Sequence, residues 1–115
     1  MRETDSRVVE MATEERTRVA QDALTAAPGV YTPLFENDSA RVLRAKMLPG
    51  EAVPAFYHPN YIIYVISPSV IKIADEDTAE DLHPRAGGVM WMESGYHSCE
   101  NVGKETFEAL LVEVK

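Results

Sequence analysis

Along most of this chain the apolar residues recur at every second position or in short unbroken runs, and both patterns predict β-strands. The clearest alternation lies between Arg41 and Leu48. There Leu43, Ala45 and Met47 share one face while Arg44 and Lys46 share the other, as in a half-buried antiparallel strand. Tyr61 to Ile66 is continuously apolar and reads as a second strand. Further runs cover Tyr31 to Phe35, Val70 to Ala74, Tyr96 to Glu100 and Thr106 to Val114. Leu82 to Arg85 leads through Gly87-Gly88 into another, Val89 to Glu93. Turn formers separate them: Asn37-Asp38-Ser39, Pro49-Gly50, Ser67-Pro68-Ser69, Gly95 and Asn101-Val102-Gly103. Pro33 places the first strand at a sheet edge or rim. Asp75 to Asp81 holds five acids in seven residues. It lacks the glycine that a calcium loop needs at its bend, so a solvated hairpin tip is expected there. Roughly seven or eight short strands between frequent turns predict an all-β sandwich or barrel.

Before Tyr31 the period changes. Thr13 suits a helix N-cap, with Glu14 and Glu15 in the first turn. Ala20, Ala23, Leu24 and Ala27 then recur at helical spacing, and Pro28-Gly29 ends the run. A face of such small residues buries little area, which predicts a short helix appended to the β domain. Residues 1–12 mix both charge signs and read as a tail. The expected organisation is tail and helix over residues 1–30 and a barrel over residues 31–115.

Composition narrows the function classes. At 115 residues the chain is long enough for one well-buried core without metal or disulfide support. A net charge of −8 argues against nucleic acid and against an anionic membrane surface. No apolar run is long enough to span a bilayer, and the charged first residues lack the apolar stretch of a signal peptide. The single cysteine, Cys99, rules out an internal disulfide framework and suits a reducing compartment. A cytoplasmic location is expected.

Two stretches carry the candidate chemistry, and each starts near a glycine and holds one histidine. Gly50 is followed by five residues and then Phe56-Tyr57-His58. Gly87 is followed by five residues and then Glu93-Ser94-Gly95-Tyr96-His97, with Asn101 four positions on. This order of pieces resembles the two motifs of the cupin superfamily: glycine, five residues, His-x-His and a later carboxylate; then glycine, five residues, Pro-x-Gly, histidine and asparagine. The resemblance spans about Tyr31 to the C-terminus and implies a small jelly-roll β-barrel with a short N-terminal α-helix. It further implies a metal site of three histidines and one carboxylate.

The matches to that site are partial. Phe56 stands at the first histidine position, Tyr61 or Ile62 at the carboxylate position, and Glu93 at the proline of the second motif. His58 and His97 remain as the two candidate metal ligands. Cys99, sharing a strand face with His97, and Tyr61 are conceivable substitute donors. As bland alternatives, Cys99 would be a small buried hydrophobe, Tyr61 a space-filling core residue, and each histidine a core residue with a satisfied ring. The expected ligand-binding set is His58, Tyr61, Ile63, Trp91, His97 and Cys99, with Phe56, Val65 and Met47 as further apolar walls. The alternation leaves open which of Met90, Trp91 and Met92 face inward. Three functions follow: a small-molecule-binding barrel with an incomplete metal site, an enzyme, or a structural dimer with a vestigial pocket. As an enzyme it would be an oxygenase or isomerase holding Fe, Ni, Mn or Zn, or a metal-free catalyst with a histidine base. The resemblance also implies a homodimer.

Overall fold

The structure is a computed structural model, and it describes residues 23–115. The predicted strands are present. The strands of the described residues are β1 (Tyr31–Glu36), β2 (Ala40–Met47), β3 (Ala52–His58), β4 (Tyr61–Ser67), β5 (Ile71–Ala74), β6 (Ala79–Leu82), β7 (Val89–Met92), β8 (Gly95–Asn101) and β9 (Phe107–Val114), of which β3 and β6 add to the runs set out from the sequence. They form two antiparallel sheets, ordered β1-β2-β9-β4-β7 and β3-β8-β5-β6. Every alternating strand turns its apolar set inward. Leu43, Ala45 and Met47 of β2 are buried, as are Phe107, Ala109 and Leu111 of β9. Val53 and Phe56 of β3 face them from the other sheet's edge strand.

The turns work as their residues suggest. The Asn37 side-chain oxygen accepts the backbone N–H groups of Ser39 and Ala40, at 2.8 and 2.9 Å, and so closes the turn between β1 and β2. The glycines that open both histidine stretches take positive φ, 87° at Gly50 and 82° at Gly87, a conformation that costs other residues more. Pro33 lies in β1, an edge strand, and the ladder with β2 shifts register just after it.

One expectation needs correction. The acidic stretch is not all hairpin tip. Only Asp75 to Thr78 turns, with Asp75 Oδ1 accepting N–H groups from Asp77 and Thr78. Glu80 and Asp81 belong to β6, an exposed edge strand whose charges keep its open side from pairing. Correspondingly, Leu82 ends that strand, and residues 83–85 form no strand of their own.

Of the N-terminal helix, the described part is α1 (Ala23–Ala26). Ala23 and Ala27 are buried and Leu24 is packed beside them, as the small-residue face predicts. The helix contacts β3 and β1, edge strands of different sheets, and so bridges the seam between the two. The predicted N-cap at Thr13 and the turns that follow it lie outside the described residues, as does the tail. No helix among the described residues is long and apolar enough to cross a membrane.

Candidate functional site

β3 and β8 are paired neighbours, with Phe56 opposite His97 in the ladder. Successive inward positions then bring the two histidines together. The ring centroids of His58 and His97 lie 3.8 Å apart with their planes 7° from parallel. Phe56 packs on the other side of His58 at 3.9 Å, and the Tyr61 ring lies 5.3 Å from it. His58 is 2% exposed and His97 9%. Each ring presents an Nε2 that is buried and has no hydrogen-bond partner among the described residues.

The two rings line an interior cavity of about 40 Å³. Tyr61, Ile63 and Cys99 line it as well, so five of the six residues expected to bind a ligand border one space. Trp91 does not. It lies on the outer face of β7, 51% exposed, and its indole N–H donates to Glu93 Oε2 at 2.8 Å. The reason is the phase of β7. Met90 and Met92 pair with Ile63 and Tyr61 and face inward with them, while Trp91 pairs with outward-facing Ile62. Of the expected further walls, Met47 borders the cavity, whereas Phe56 and Val65 are packed in the core.

Burial sets the charge state of these groups. Removal from water, then the proximity of His97, pushes His58 down to about 3. Burial also lowers His97, against an opposing pull from Asp75. Both imidazoles are therefore neutral near pH 7. Burial raises the Cys99 thiol to about 11, against an opposing pull from nearby Tyr31. Burial likewise raises Tyr61, helped by the nearby Cys99 and Glu113.

Some neighbours were not singled out in the sequence. Tyr31, at the start of an edge strand, reaches the cavity. Glu113 is buried on the inner face of β9 and paired with Arg41 Nε at 2.7 Å. Its signal was available: Phe107, Ala109, Leu111 and Glu113 occupy alternate positions, so the acid shares the core face.

These residues do not fit the metal that the motifs imply. Two imidazoles share an ion only where their in-plane lone pairs converge on it at about 2.0–2.1 Å. Rings this close to parallel keep their lone pairs in separate planes that do not meet at one ion. Among the described residues no three His, Cys, Asp or Glu side chains are placed to hold a metal. Burial keeps the conceivable substitute donor Cys99 a protonated thiol near neutral pH.

No protein-family model and no curated protein matches the chain. Solved structures do. A cupin domain from Bordetella pertussis Tohama I superposes with a TM-score of 0.70 at 16% identity, covering 75% of this chain and 92% of that one. An uncharacterised conserved protein with a double-stranded β-helix domain from Klebsiella pneumoniae gives 0.59 at 22% identity, covering 73% and 76%. A predicted oxalate decarboxylase from Thermotoga maritima gives 0.56 at 23% identity, covering 74% and 79%. The paired sheets, the strand order and these likenesses agree that the chain has the double-stranded β-helix fold of the cupins.

Proposed function

We propose that the chain is a small-molecule-binding barrel that holds its ligand by hydrogen bonds inside an apolar cavity, with no metal between His58 and His97. One observation carries this reading: two histidines, each with a buried Nε2 that has no partner among the described residues, line one mostly apolar space. A buried polar atom left unpaired costs about 1–3 kcal/mol, so a ligand that meets it offsets a standing penalty. Binding is favoured over catalysis because a base with a pKa of about 3 is a poor proton acceptor at neutral pH.

The cavity's size bounds the ligand. About 40 Å³ is small beside the roughly 300–1,000 Å³ of pockets for drug-sized molecules, so the ligand is compact. Met47, Met90 and Met92 line the space, and their unbranched side chains can rearrange to widen it. Oxalate does not suit it. No lysine or arginine among the described residues lines the cavity to meet a dianion, so the decarboxylase activity predicted for the Thermotoga neighbour is not carried over.

The test pairs two titrations of the full chain after chelator treatment. Small neutral fragments (ethanol, propan-2-ol, acetone, acetamide) are expected to raise the melting temperature in a concentration-dependent way, and His58→Phe to abolish the rise. Calorimetric titration with Mn(II), Fe(II), Ni(II) and Zn(II) is expected to show no stoichiometric binding. A stoichiometric ion that survives purification and is lost in His97→Ala would overturn this reading and favour a metal-dependent oxygenase or isomerase.

A further inference from the structure

An antiparallel sheet that turns one side to water carries polar residues on that side. The four-stranded sheet does so: on its outer side Lys72 of β5 stands between Glu100 of β8 and Asp81 of β6. The five-stranded sheet does not. Its ladders set Phe35, Val42, Val112, Ile62 and Trp91 side by side, one from each strand, in an apolar row across its outer side. Leu110, Tyr64 and Val89 extend the next row. Phe35, Tyr64, Val89 and Trp91 all stand exposed among the described residues. The charges on this side are matched. Arg44 Nε donates to Glu108 Oε2 at 2.7 Å, while Lys46 of β2 and Glu93 beside Trp91 balance each other in sign.

We infer that a second copy of the chain covers this face, the two five-stranded sheets packing together as a two-fold dimer. A two-fold contact sets one patch against itself, so a patch with net charge would repel its mate. This one is balanced, although the chain as a whole carries −8. Residues 1–22 make a poorer cover. Ten of them are charged, and their large apolar side chains are Met1, Val8, Val9, Met11 and Val19 alone. Five strands about 4.8 Å apart, with about 20 Å of shared length, present on the order of 500 Å². A stable interface takes about 800 Å² from each partner, so this dimer is reversible, with a Kd on the order of 10 µM.

Sedimentation velocity of the full chain from about 1 to about 100 µM, with Trp91 emission read over the same range, tests the dimer. The expected course is a passage from monomer to dimer, with the emission moving to the blue as Trp91 leaves water. Added salt is expected to tighten the dimer, since it screens the repulsion between two chains of −8. Two tyrosines of similar exposure, Tyr64 at 44% and Tyr96 at 49%, lie on the outer sides of different sheets. Tyr64→Glu is expected to weaken the dimer about tenfold or more, because it brings an unpaired charge into the contact, and Tyr96→Glu to leave it unchanged. Val89→Glu, on the exposed edge strand β7, carries the same expectation should Tyr64→Glu fail to fold. A monomer at every concentration, or a dimer that Tyr96→Glu dissolves and Tyr64→Glu spares, overturns the inference. So does Trp91 emission that is already shielded in the monomer, which would mean that the chain's own residues cover the face.

Discussion

Asn101 occupies a motif position, yet its contacts are structural. It is fully buried; its Nδ2 donates to the carbonyls of Met47 at 2.9 Å and Glu105 at 2.8 Å. Its Oδ1 accepts the Ser69 hydroxyl at 2.8 Å and the Gly103 N–H at 3.0 Å. One side chain thus ties the end of β2 to the turns that follow β4 and β8. Asn101→Ala is expected to lower unfolding stability by on the order of 3 kcal/mol in urea, because several buried groups lose their partner together. A loss under about 1 kcal/mol would show that those groups find water instead. His58 and His97 hold motif positions of the other kind, where the local backbone is ordinary and the unpaired atom is the feature. Their convergence was legible in the sequence as two histidines at matching motif places. Their stacking was not, because ring orientation depends on the neighbours Phe56 and Tyr61 rather than on spacing.

Strands with a clean alternation told their own phase. In β2 the inward set Leu43, Ala45 and Met47 could be read directly, and it is buried. In β7 it could not, since Val89, Met90, Trp91 and Met92 are all apolar and carry no period. Pairing with β4 decided it, and a one-residue slip would exchange the methionines for the tryptophan. The acids of β6 misled for a related reason: an exposed edge strand needs no apolar face to announce it. Trp91 is the chain's single tryptophan, so its emission reports the β7 register directly. At sub-micromolar protein concentration acrylamide is expected to quench it readily, and propan-2-ol to leave it unchanged. Blue-shifted, quencher-resistant emission that responds to the alcohol would place Trp91 in the cavity.

For the molecule as a whole, the buried imidazoles link folding to pH. An unfolded chain protonates His58 near 6.5, whereas the folded chain holds it neutral down to about 3. Between those values the unfolded state binds more protons, so stability is full above about 6.5 and falls as pH drops through the window. The slope from His58 alone is about 1.4 kcal/mol per pH unit, and the lowered His97 adds in the same direction. Urea unfolding at pH 7 and pH 5 is expected to show His58→Leu gaining on the wild type by about 2 kcal/mol at the lower pH. Equal losses in both proteins would assign acid sensitivity to the carboxylates.

The most direct measurement of the central claim is the pH titration of the His58 and His97 ring resonances in metal-free protein. The account predicts that His58 stays neutral well below pH 5, with a midpoint about 3, and that His97 titrates below its ordinary value. A His58 midpoint near 6.5, as for an imidazole in water, would contradict a pair of neutral rings enclosed in one cavity.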